Sequence, residues 1–130
     1  MTIIIDSQET LRRTIHYCHD AIFDIDKINF NQDKRTFAIQ LVRTLREEAI
    51  LIKKVLFLKR WKAPRVKSIL VFNNVVKVKF FSKEPDDFIV DIKYDDTKNQ
   101  IEVECIKGTI IQLLVEKLEG KLQDISEKIF

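Results

Sequence analysis

The chain is poor in residues that break or bend a backbone, with two glycines, Gly108 and Gly120, and two prolines among 130 residues. Most of it is therefore expected in regular elements joined by short polar turns. The glycines stand alone, which excludes a Gly-rich loop cradling phosphate, and neither a GxSxG elbow nor an HExxH helix occurs. The two cysteines, Cys18 and Cys105, are far apart and belong to no CxxC pair. That excludes a disulfide scaffold and fits two buried free thiols in a reducing compartment. No apolar run approaches the roughly 18 residues that a membrane-spanning helix needs. Met1–Asp6 has neither the basic segment nor the cleavage site of a signal peptide. A cytoplasmic protein without a membrane partner is the expectation.

What is present suits one globular domain over residues 1–130, since the chain is 45% apolar and 33% charged. Net charge is only +3, but it is unevenly placed. From Ala49 to Lys83 there are ten basic residues and no acidic one, whereas Glu84 to Lys107 holds eight acidic and three basic residues.

Asp6 followed by Glu9 reads as a helix start, with Asp6 as N-cap and Glu9 closing a capping box. Leu11, Ile15 and Cys18 then form one apolar stripe that stops near His19-Asp20. From Ala21 to Phe30 the β-branched and aromatic residues predict a strand. A polar turn at Asn31–Arg35 leads into a second strand carrying Phe37, Ile39 and Leu41, so residues 21–42 read as a hairpin. A helix over 36–60 is the competing reading, but it would leave apolar residues on every face. Lys59–Arg65 reads as a loop, because Pro64 disfavours helix before it. Ser68–Phe72, Asn73-Asn74 and Val75–Phe81 read as strand, tight turn and strand. Alternation at Phe88–Tyr94 and Ile101–Cys105 adds two more strands. After Gly108, apolar residues Ile111, Val115, Leu118, Leu122, Ile125 and Ile129 repeat at helical spacing, which favours a helix over 110–129 despite Gly120, with one more strand over Ile110–Val115 as the competing reading. The expected class is α+β, a mostly antiparallel sheet of about six strands with an N-terminal and a C-terminal helix.

Two constellations could carry chemistry. His16, Cys18, His19 and Asp20, followed by Asp24 and Asp26, bring imidazole, thiol and carboxylate together, the groups that bind zinc. His16, His19 and Asp20 would serve a metal-dependent hydrolase. Against this, Cys18 shares the apolar stripe and is expected to face the core, so no metal or cofactor is expected. The second constellation is basic: Lys59, Arg60, Trp61, Lys62, Arg65 and Lys67 could hold phosphates and stack a base. One aromatic makes a poor platform, which argues against nucleic acid as partner. Lys77 and Lys79 would face water if Val76, Val78 and Phe80 faced the core. They would then pair with Asp91 and Asp95 of a neighbouring strand.

A helix leading into His19-Asp20-Ala21, then Ile25 and the strand Phe37–Leu41, resembles the opening of small uncharacterised bacterial families, some grouped with immunity proteins of polymorphic toxin systems. The resemblance covers about the first 45 residues and implies a β-rich binding protein rather than an enzyme. Residue pattern and resemblance favour a non-enzymatic module that binds a protein partner or a second copy of itself, as a homodimer, through a strand edge or the basic loop.

Overall fold

A computed structural model describes residues 1–45, 48, 50–55 and 58–129, with the residues between 50 and 62 described as backbone alone. Over half the chain, 56%, lies in strands and only 13% is helical, so the protein is mostly sheet rather than α+β. Among the described residues the elements run β1 (Thr2–Ile5), α1 (Gln8–Cys18), β2 (Ile22–Asp24), a 3₁₀ turn (Ile25–Lys27), β3 (Ile28–Asn31), β4 (Thr36–Thr44), β5 (Ile50–Val55), β6 (Leu58–Lys62), β7 (Arg65–Phe72), β8 (Val75–Phe81), β9 (Asp86–Asp95), β10 (Gln100–Cys105), β11 (Ile110–Val115) and β12 (Gly120–Asp124). Ten of the strands form one antiparallel sheet in the order β1-β12-β7-β4-β2-β9-β10-β11-β8, with β3 also beside β4; β5 and β6 form a separate ribbon.

The helix begins one residue later than expected. Ser7 is the N-cap and Thr10 closes the capping box, while Asp6 accepts a hydrogen bond from the Thr10 hydroxyl at 3.2 Å. Leu11, Thr14 and Cys18 are buried along its inner face. The helix stops at Cys18, and Asp20 takes φ +65°, a conformation Asp tolerates better than most residues. The strand expected from Ala21 to Phe30 is broken by the 3₁₀ turn. This lets β2 pair with both β4 and β9, while β3 pairs with the other half of β4. Most of the described residues between 36 and 60 lie in β4, β5 and β6, strands rather than the competing helix.

The C-terminal helix does not exist. Ile111, Leu113 and Val115 are buried alternately along β11, and Leu122 is buried on β12. A helical stripe would have left Leu113 off the core face, whereas strand period 2 buries it. Ile125 and Ile129, which extended the helical spacing, are exposed. Gly120, awkward in a helix, is needed where it stands. A Cβ there would lie 2.2 Å from the Val71 carbonyl oxygen of β7.

The Asn73-Asn74 pair is a corner and not a hairpin turn. β7 lies between β4 and β12, while β8 pairs with β11. Asn74 has φ +57°, the Asn73 N–H donates to the Glu119 carbonyl (2.8 Å), and the Glu116 N–H donates to the Asn74 carbonyl (3.0 Å). Two chain segments thus cross side by side: β7 passes into β8 and β11 passes into β12. Strands on both sides of the crossing fill one core, with Phe37, Leu70 and Phe72 from one set and Ile89, Ile101 and Leu113 from the other.

This pairing also moves the strand lysines. Lys77 stands opposite Leu114 and Lys79 opposite Gln112, so neither meets Asp91 or Asp95. Both do face water, but Val76 and Phe80 are each 44% exposed and only Val78 packs on the core among the three.

Gly120→Ala is expected to lower stability by about 1–3 kcal/mol, because the added carbon must push β12 from β7. Urea denaturation monitored by far-UV circular dichroism checks this, and an unchanged midpoint would contradict the close approach.

Candidate functional site

The residues singled out in the sequence do not form one site. Lys59, Arg60, Trp61 and Lys62 lie on strand β6 rather than in a loop, and their side chains lie outside the described residues. In the β5–β6 ribbon, Lys54 stands opposite Lys59 and Lys53 opposite Arg60, like charges across a strand pair. Arg65 and Lys67 belong to the next strand, β7, where both are exposed and alternate with buried Val66 and Ser68. The Arg65 backbone exchanges hydrogen bonds with Ile129.

The histidine cluster is likewise dispersed. His16 is exposed on α1 and meets the Tyr17 ring edge-on, with centroids 5.2 Å apart. His19 lies just past the helix, its Nδ1 3.0 Å from the Val90 carbonyl oxygen and its Nε2 3.5 Å from Asp20 Oδ1. Cys18 is fully buried, as the apolar stripe indicates, and burial pushes its thiol up to about 12. Cys105, half-buried, is also raised to about 12, by burial and by the carboxylates of Asp87 and Glu104. Neither thiol supplies a thiolate at neutral pH. Among the described residues, no three His, Cys, Asp or Glu side chains come together in a way that could hold a metal ion.

Two charged groups missed by sequence reasoning are buried instead. Arg43 continues the inward register of Phe37, Ile39 and Leu41 on β4. Its Nε donates to Ser68 Oγ (2.9 Å), its Nη2 to Asp124 Oδ1 (2.9 Å) and its Nη1 to the Tyr17 carbonyl (3.3 Å). The guanidinium thereby ties β4 to β7, β12 and the last turn of α1, where a cation also complements the helix dipole. Burial alone would raise the Asp124 pKa, but hydrogen bonds from Ser68 and Arg43 and the Arg43 charge hold it below the usual range. Asp87, at the start of β9, is fully buried. Its Oδ1 accepts from the Phe88 and Lys107 N–H groups (2.7 and 2.8 Å), and its Oδ2 from the Thr109 N–H (3.1 Å). It fastens the turn between β10 and β11.

Among the described side chains, a group of exposed apolar residues gathers at β8 and its neighbour β11. β8 pairs with β11 alone among the described residues, so its other edge has no strand beside it. Val76, Phe80 and Phe81 are exposed there, with Ile110 and Leu114 exposed on β11. Phe81 is 54% exposed and lies 5.9 Å beneath the Lys83 ammonium. The alternation of Val75–Phe81 made the strand legible, but nothing in the sequence marked it as an edge.

A family model described as "Protein of unknown function (DUF2948)" matches residues 8–129. The chain belongs to that family. No curated protein and no solved structure matches it. The DUF2948 match runs from α1 past β12, so the β8 edge, Arg43 and Asp87 all lie within the family domain.

In this DUF2948 fold, burial would raise the Asp87 pKa, yet hydrogen bonds from Thr109, Lys107 and Phe88 hold it below the ordinary carboxylate range. The ionised carboxylate therefore contributes stability that is complete above the unfolded value of about 3.9 and is lost as pH falls through the lowered folded value. Asp87→Asn is expected to cost about 1–3 kcal/mol at neutral pH, because the amide sets donors against donors. The gap from the wild type should shrink as the pH is taken below the carboxylate range, which urea midpoints measured across pH would show. A constant gap would contradict the carboxylate's role.

Proposed function

We propose that this DUF2948 protein is a non-enzymatic interaction module of the cytoplasm, binding a protein partner that adds an extended segment to the β8 edge. The observation that supports this is the edge itself: a seven-residue strand that, among the described residues, is paired on one side only and carries exposed Val76, Phe80 and Phe81. Open strand edges with apolar side chains are usually shortened, covered or guarded, because they template pairing with another chain. Strand addition uses that property, with backbone hydrogen bonds supplying affinity and alternate side chains supplying selectivity. A location in the cytoplasm agrees with the unpaired thiols, and no described helix is long and apolar enough to cross a membrane. The resemblance of the first 45 residues to families that include toxin-immunity proteins is in keeping with a protein that acts by binding.

Affinity capture with purified protein tests the reading. A partner held by the wild type should be lost on Phe81→Asp with Val76→Asp, while both proteins melt at similar temperatures, since these side chains are already exposed. Equal capture by the two proteins would refute the β8 edge as the site.

A homodimer is the second reading, favoured by a further edge, since β1 pairs with β12 alone among the described residues. β1 carries no charge between Thr2 and Ile5, and Ile4 is 58% exposed. Light scattering is expected to show a dimer at micromolar concentration that dissociates on Ile4→Lys; a monomer at all concentrations would remove this reading.

A further inference from the structure

We propose that the β8 edge selects an acidic extended segment, one in which carboxylates alternate with apolar residues, and that it turns away a second copy of itself. This rests on the strand-addition reading above and adds the chemistry of the partner.

The register divides β8 into two faces, since residues directly opposite each other in a sheet point the same way. Val78 and Phe80 stand opposite buried Leu113 and Ile111, on the inner face. Lys77, Lys79 and Phe81 stand opposite Leu114, Gln112 and Ile110, on the outer face. A strand added to the open edge would extend both sets of rows. Its outer residues would lie beside Lys77 and Lys79, and its inner residues beside Val78 and Phe80.

Among the described residues, no carboxylate neutralises those lysines. Neither forms an ion pair among the described residues, and Lys83 follows them over the Phe81 ring. The acidic strands lie too far along the sheet, because β11, which carries no charged residue, stands between β8 and β10. The carboxylates of β10 are also engaged: Glu102 accepts from Gln112 and Glu104 pairs with Lys93, each at 2.9 Å. A positive row at an open edge, with apolar rows alternating, is complementary to a strand that alternates acid with apolar side chains.

The same row excludes self-pairing. An antiparallel β8–β8 ladder must match like faces. Centred on Val78, it puts Lys77 opposite Lys79 twice; centred on Lys77 or Lys79, it puts that lysine opposite itself. Every well-overlapped register therefore sets lysine against lysine, which is how edge lysines block aggregation.

The test uses the full chain and three fluorescein-labelled peptides as long as β8, each alternating valine with glutamate, threonine or lysine, followed by fluorescence anisotropy. The glutamate peptide should bind more tightly than the threonine peptide, and at least about tenfold more tightly than the lysine peptide. Added salt should narrow the gap. Lys77→Glu with Lys79→Glu should invert the order, and Lys79→Gln should weaken the preference without inverting it. Both positions are solvent-exposed, and a thermal melt confirms that the variants fold. Equal binding of all three peptides, unmoved by charge reversal, would overturn the acidic selection while leaving strand addition in place. Binding of none would overturn strand addition at β8 and this inference with it.

Discussion

The fold depends on a crossing. At Asn73-Asn74 the chain changes from one set of strands to the other, and at residues 116–119 it changes back alongside. Both passages are tight. Asn74 adopts positive φ, and Gly120 starts β12 against the Val71 carbonyl, where no side-chain carbon fits. Because β7 does not fold back on β8, β7 is free to sit between β4 and β12. Among the described strands, β8 is left with one neighbour. Neighbouring strands that twist apart at a corner are a common way of letting one chain serve two sheet directions. Here the corner also decides which strand ends up open.

Around this frame the described residues include two buried charges, Arg43 and Asp87. Arg43 and Asp87 are each surrounded by hydrogen-bonding groups, and no buried side-chain polar atom among the described residues lacks a partner. Such satisfaction is what makes a charge bearable away from water. Both groups fasten distant segments: Arg43 gathers a helix end and three strands, and Asp87 holds a turn twenty residues further on. Their neighbours are backbone groups, hydroxyls and, for Arg43, the Asp124 carboxylate, the setting of an anchor.

Period-2 alternation made several strands readable, notably around Phe37–Leu41, Val75–Phe81 and Phe88–Tyr94, and the apolar stripe through Leu11, Ile15 and Cys18 marked the helix and its end. The same signal failed where two periods coincided. Ile111, Val115, Leu118 and Leu122 fit a helix by spacing, yet Ile111, Val115 and Leu122 also fall on inward strand positions, and Leu113 between them was the discriminating residue. Alternation tells which way a side chain faces but not which strand lies beside it. Lys77 and Lys79 were thus legible as exposed, while their presumed acidic neighbours were separated from them by β11. Arg43 carried a usable signal, falling in register with Phe37, Ile39 and Leu41. Asp87 did not, because its partners Lys107 and Thr109 come from a turn beyond β10.

The Arg43 anchor orders events in time. Its guanidinium enters the core on β4, but the carboxylate that balances it, Asp124, belongs to β12, 81 residues later. β12 is also the strand that joins β1 to β7 within the sheet. Until it arrives, β1 lacks its strand neighbour and Arg43 lacks the carboxylate that balances it, so both depend on the last strand to be made. Folding becomes a late, concerted step with a long loop to close, the kind that is slow and leaves the unfinished chain exposed to aggregation.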